Sequence, residues 1–166
     1  MQRTLYVVRH AKAEDRAIFQ QDHDRDLVPD GIMAAARMGV HLKSKTVKPD
    51  VIISSTANRA RDTAKVIAEQ LGYDTDSIIF NEHLFDGGPR AYLATVNEQP
   101  ETFSSVMIVG HNPDVSYFSE FLTHQDIGSM SKGSVAAITF DDLNWADVSG
   151  RTGNLSYYIA PKQLPQ

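Results

Sequence analysis

Two histidines of this chain stand where an apolar, strand-like run ends. Thr4-Leu5-Tyr6-Val7-Val8 leads into Arg9-His10, and Val106-Met107-Ile108-Val109 leads into Gly110-His111-Asn112-Pro113. A neutral imidazole is a good nucleophile toward phosphorus and can carry a phosphoryl group covalently. Its second nitrogen must then donate to a carbonyl, so that the attacking nitrogen stays unprotonated. Arg9 adds a planar fork of donors that matches phosphoryl oxygens. Arg59 lies in Ser55-Thr56-Ala57-Asn58-Arg59-Ala60, close behind a third apolar run, near a helix start that itself favours anions. His111, as an imidazolium, can stabilise charge on transferring oxygens. Each residue alone reads as a strand-end cap or a solvated charge, and Asn112 reads as a helix cap. Two arginines and two histidines at one sheet edge read as an anion pocket.

The elements that would position them follow from periodicity. After the first strand comes a polar loop over residues 11–29, then a helix from near Asp30 with Ile32, Ala35, Ala36, Met38, Gly39 and Leu42 as its apolar stripe. Val51-Ile52-Ile53 reads as a buried strand, and Ser54-Ser55-Thr56 offers cap hydroxyls for a helix from Ala57 to Leu71 that Gly72 ends. A strand at 78–80, a helix at 89–97 and the strand at 105–109 come next. The helix after Asn112-Pro113 should point Val115, Phe118, Phe121 and Leu122 inward. Residues 134–140 and 154–160 read as two antiparallel strands added at a sheet edge. The alternation predicts one α/β domain over residues 1–166, with a mostly parallel central sheet, helices on both faces and a C-terminal antiparallel edge hairpin. Parallel strands put their carboxyl ends on one side, which is where ligands bind in open α/β sheets.

Composition narrows the choice. The 166 residues are 42% hydrophobic and 22% charged, with a net charge of −5 and no cysteine. This is the balance of a soluble globular protein. The acidic charge argues against a nucleic-acid partner, and the absence of cysteine removes disulfides, thiolate metal sites and cysteine nucleophiles. The chain lacks both the ~20-residue apolar run of a membrane span and a signal-peptide core, so no membrane partner and a cytoplasmic location are expected. His23-Asp24 invites a metal-phosphohydrolase reading, which belongs to all-helical folds and conflicts with the strand–helix alternation.

The combination Arg9-His10, Ser55-x-x-x-Arg59-Ala60-x-x-Thr63 and Gly110-His111-Asn112-Pro113 resembles the histidine phosphatase superfamily, the phosphoglycerate mutase-like proteins. Spacing and length are similar to its short bacterial branch, the phosphohistidine phosphatases. Asp22-x-x-Arg25-x-Leu27-x-x-x-Gly31 and Pro161-Lys162-x-Leu164 extend the likeness over essentially the whole chain. The resemblance implies that His10 is the residue phosphorylated, that Arg9, Arg59 and His111 hold the phosphoryl oxygens, and that no metal or organic cofactor takes part. Arg25 either borders the pocket or pairs with Asp22 or Asp24.

Two departures stand out: Ala11 replaces the usual Gly after the nucleophile, and Val28 replaces the usual Thr after Leu27. Many relatives also carry a carboxylic acid on a larger helical insertion, whereas here only residues 81–104 separate the third and fourth strands. Glu82 is the available general acid, with Asp86 a weaker one. An alcohol leaving group needs a proton in the transition state. An imidazole leaves more easily, because its conjugate acid has a pKa near ~6.5. The expected partner is therefore a protein bearing phosphohistidine. A small phosphorylated molecule hydrolysed with Glu82 as acid, or a non-catalytic module binding a phosphorylated ligand, are the alternatives.

Overall fold

In the computed structural model, which describes residues 1–165, six strands form one sheet: β1 (Gln2–Arg9), β2 (Val51–Ser54), β3 (Ile79–Phe80), β4 (Ser105–Gly110), β5 (Val135–Asp141) and β6 (Asn154–Ile159). Their spatial order is β3-β2-β4-β1-β5-β6. The first four run parallel to one another, while β5 pairs antiparallel with both β1 and β6. The expected α/β architecture is thus the observed one.

The strands are apolar on both sides because both sides are covered, as parallel sheets require. Leu5, Val7, Ile53, Val106, Ile108 and Ala136 face one core, packed with residues of α3 (His83–Asp86), α4 (Pro89–Asn97) and α5 (Asp114–Thr123). Val8, Ile52, Met107, Val109 and Val135 face the other, against α1 (Pro29–Ser44) and α2 (Asn58–Leu71). Alternate residues of each strand go to opposite cores, the two-residue period of a pleated strand.

Several local expectations differ from what forms. Phe121 and Ile32 are about half exposed; Phe121 packs its ring against Gly150, while Val115, Phe118, Ser119 and Leu122 make the inner face of α5. Asn112 does not cap α5: its Oδ1 accepts from the Ser116 hydroxyl and its Nδ2 donates to Ser129 Oγ and Met130 O. The hydroxyls before α2 are engaged elsewhere, since Thr56 bonds His23 and Ser55 bonds His111. The Ser55 hydroxyl also accepts from the Ala57 N–H at 3.3 Å. The strand at 78–80 is reduced to Ile79–Phe80, and the short helix α3 falls in a stretch that shows no helical period.

The departures from the family pattern have local consequences. The non-glycine residues with positive φ among those described are Phe19, Thr46, His124, Asp142 and Arg151, so Ala11 carries its methyl group without left-handed strain. That methyl group packs in a small cluster with Ala13, Leu27 and Ala35. Val28 occupies the N-cap of α1 and supplies no side-chain acceptor. Val28→Thr is expected to raise stability by about 0.5–1 kcal/mol through the restored cap, read as a higher urea midpoint at unchanged slope.

Candidate active site

The parallel register of β1 and β4 pairs Arg9 with Gly110. One residue further, the His10 N–H donates to the Gly110 carbonyl at 3.0 Å. The two imidazoles therefore leave adjacent strand ends side by side, with ring centroids 5.2 Å apart. Both are buried.

His10 Nδ1 lies 2.7 Å from the Ala11 carbonyl oxygen. A carbonyl can only accept, so Nδ1 carries the proton and Nε2 keeps its lone pair. The backbone around it is tied on every side. The Gly133 N–H reaches both the Arg9 and His10 carbonyls, and the Ala11 N–H donates to Thr63 Oγ1. Thr63 in turn donates to the Arg59 carbonyl at 2.7 Å, joining the His10 loop to the first turns of α2.

Arg59, second residue of α2, is buried, and Asp22 holds its guanidinium: Nη1 donates to the Asp22 carbonyl at 2.7 Å and Nη2 to Oδ2 at 3.1 Å. Asp22 Oδ1 also accepts from Arg25 Nη1 at 2.9 Å, and Arg25 Nε donates to the Glu14 carbonyl. Arg25 is thus paired with Asp22, and its charge contributes to lowering the pKa of His10 and Arg59. Arg9 is half-buried and donates from Nη1 to the Met130 carbonyl, with its Nε unpartnered. Burial lowers the pKa of both Arg9 and Arg59, but a guanidinium stays charged throughout the physiological range.

His111 Nε2 lies 2.7 Å from Ser55 Oγ, and its Nδ1 is buried without a partner. Burial first, then the neighbouring His10 and Arg59, push its pKa down to about 3. Burial, with the charges of Arg59 and Arg9, brings His10 down to about 4 against the pull of the Ala11 carbonyl. Burial thus favours the neutral form of both rings. An anion bound between them would favour their charged forms again.

Tyr92, Phe85 and His23 carry no spacing signal that marks them as site residues, yet all three adjoin it. The buried Tyr92 hydroxyl accepts the His111 N–H at 3.1 Å and donates to the Leu84 carbonyl at 2.7 Å, linking the end of β4 to α3. Gly110 is required there, because a Cβ would overlap the Tyr92 ring and hydroxyl. Phe85 of α3 stands edge-on to His111 at 5.4 Å and to His23 at 5.1 Å, with the Arg59 guanidinium 5.8 Å from its ring centre. Glu82 is exposed and precedes α3, one turn before Phe85. A groove of about 580 Å³ opens beside Arg9, lined also by Asn112, Ser116 and Tyr117.

Fold and cluster together define a phosphoglycerate mutase-like α/β protein whose central strand ends gather two imidazoles and two guanidinium groups. Comparison with known proteins agrees. The sequence pattern of the histidine phosphatase superfamily (branch 1) matches residues 5–84. The candidate phosphohistidine phosphatase SixA of Nakamurella multipartitia superposes with a TM-score of 0.81 at 28% identity, covering 97% of each chain. Its counterpart from Agrobacterium tumefaciens gives 0.82 at 26% identity, covering 96% of this chain and 98% of that one. An uncharacterised protein of Mycobacterium tuberculosis is 32% identical over 95 residues, which is 57% of either chain, so the match spans little more than half of that relative. Over residues 5–84 the chain is thus similar to the histidine phosphatase superfamily, and its full-length likeness is to the SixA structures.

Both histidines hold protons less tightly folded than unfolded. The unfolded chain therefore binds more protons below pH ~6.5, and stability falls as pH drops from there toward about 4 and about 3. NMR titration of the free protein should show His10 and His111 neutral at pH 5.5, with His10 protonated on Nδ1. Saturating tungstate should move both titrations upward. Gly110→Ala is expected to cost about 1–3 kcal/mol by overpacking against Tyr92, measured by urea denaturation.

Proposed function

We propose that this chain is a phosphatase that works through a phosphoryl-His10 intermediate and acts on phosphohistidine in proteins. The observation that carries the reading is the 2.7 Å contact between His10 Nδ1 and the Ala11 carbonyl, which aims an unprotonated Nε2 away from the backbone. Neutral His10 is the form that can attack, and its burial keeps it so. Arg9, Arg59 and His111 hold the phosphoryl oxygens, the guanidinium groups as fixed charges and the imidazole as a donor.

In the first step the Nε2 lone pair attacks phosphorus and the bond from phosphorus to the leaving nitrogen breaks. Its electron pair stays on that nitrogen, which takes up a proton. In the second, water attacks the phosphoryl group on Nε2, giving inorganic phosphate, free His10 and a proton released to solvent. Neither step draws on a metal or an organic cofactor.

The leaving group separates the candidate substrates. Between β3 and β4 the chain supplies only α3, α4 and their connections, residues 81–104, to cover the strand ends. Such a cover is short enough to admit the surface of a protein. Imidazole departs without a strong acid, which suits a chain whose candidate acid, Glu82, is exposed. Similar structures named as candidate phosphohistidine phosphatases support the same choice. Small phosphate monoesters are the second reading, favoured by the position of Glu82 one turn from Phe85.

Protein given labelled phosphohistidine substrate and quenched should retain label that is acid-labile and alkali-stable. His10→Ala should lose the label and slow turnover about 10³-fold or more. Retention of both would overturn the reading, and absence of both label and turnover in the parent would leave only a binding module. Glu82→Gln should leave phosphohistidine turnover within about threefold. Loss of alkyl phosphate turnover in that variant would assign Glu82 as the acid of the second reading.

A further inference from the structure

Phosphoryl-group holders explain Arg9, Arg59 and His111, but they leave an aromatic pair at the mouth of the site without a task. Phe85 is half-buried and comes from α3; His23 comes from the 3-10 turn Asp22–Asp24, far away in sequence. Their rings meet edge-on at 5.1 Å, and Phe85 continues edge-on to His111 at 5.4 Å. The row His23–Phe85–His111 therefore leads outward from the reacting histidines to solvent, where the His23 side chain is 38% exposed.

Both outer rings are held in place rather than free. His23 Nε2 is 2.8 Å from Thr56 Oγ1, and its Nδ1 is 3.5 Å from Asp24 Oδ1. Phe85 has the Arg59 guanidinium 5.8 Å from its centre, and its backbone N–H is bonded to the Glu82 carbonyl. The preceding residue, Leu84, is fully buried and its carbonyl is bonded by Tyr92, so α3 cannot swing away without breaking a core contact. Phe85 has no hydroxyl or charge to offer a leaving group. What it presents is the flank of a π-system, which favours a flat, polarisable ring over an aliphatic chain.

We infer that Phe85 and His23 form the leaving-group subsite, and that it receives a planar aromatic leaving group, the imidazole of the substrate's phosphohistidine. This rests on the phosphatase reading above and adds to it what selects the substrate. A phosphoryl group held between His10 and His111 puts its leaving group on the side away from His10 Nε2, because attack and departure lie in line. Phe85 is the aromatic side chain beside His111, and His23 extends the wall toward solvent.

The test compares two substrates that both break a phosphorus–nitrogen bond: free 3-phosphohistidine, whose leaving group is a ring, and phosphoramidate, whose leaving group is ammonia. The subsite predicts a kcat/KM ratio that favours 3-phosphohistidine in the parent. Phe85→Leu and His23→Asn should each reduce that ratio about three- to tenfold, and Phe85→Tyr should keep it. If Phe85→Leu lowers both substrates alike, Phe85 serves packing alone and the subsite is overturned. An unchanged ratio in both variants overturns it as well. A parent that hydrolyses both substrates without preference removes the subsite and leaves the phosphatase standing. A parent that hydrolyses neither removes both.

Discussion

The site exists because β1 and β4 are parallel neighbours in a fixed register. Arg9 opposite Gly110 makes His10 and His111 the next residues on both strands, at the point where the sheet stops and burial does not. Shifting either strand by one residue would turn its side chains to the other face, so the ring-to-ring distance of 5.2 Å is a statement about register. Register is held by two cores at once. Leu5, Val7, Val106 and Ile108 fill one, and Val8, Met107 and Val109 the other. Gly110 then lets the Tyr92 hydroxyl come close enough to take the His111 N–H, which fixes the end of β4 against α3.

Electrostatics follows from that placement. Burial, together with the nearby Arg59 guanidinium, lowers the proton affinity of both imidazoles. Asp22 is the internal anion that makes the buried Arg59 tolerable, through one carboxylate bond and one carbonyl bond. Such a pair is weak evidence for stability when one partner is 44% exposed. Its contribution is to orientation: Arg59 is pre-aimed from α2 while Thr63 ties the same helix to the Ala11 N–H. On the proposed reading, a phosphoryl dianion supplies the negative charge that this cluster lacks, and the rings then regain their affinity for protons.

Much of this was legible in the sequence because it rests on short-range signals. The strand ends at Arg9-His10 and Gly110-His111 are visible as a change from apolar to polar, and the α/β alternation follows from hydrophobic period alone. Arg59 was legible because its helix starts just past the third strand end. The rest is non-local. Phe85 sits in a four-residue helix too short to show a period, and it adjoins His111 because Tyr92 ties α3 to the end of β4. Tyr92 looks like any core aromatic of α4 until Gly110 opposite it is seen to be the one residue that fits. His23 read as half of a metal dipeptide, since nothing in a linear chain announces Thr56 and Phe85 as its neighbours. Asn112 and the Ser55 and Thr56 hydroxyls had ordinary capping chemistry, and tertiary partners engage them instead.

The short cover over the strand ends and the aromatic wall within it bear on one question from opposite directions. A large lid encloses a small substrate and supplies its acid; a cover of residues 81–104 is short, and its candidate carboxylates, Glu82 and Asp86, are both exposed. An open mouth alone would admit any phosphorylated group that reached His10, so selectivity has to come from what lines the exit. In this chain the lining beside His111 is Phe85, a side chain with area and no polarity, backed by a salt-bridged loop and a fully buried neighbour. An apolar wall cannot protonate an alkoxide, but it can lie against a leaving ring that needs little protonation to depart. On the proposed reading, openness and apolarity at the exit are mutually consistent for a phosphorylated imidazole on a protein surface and suit a small alcohol phosphate less well.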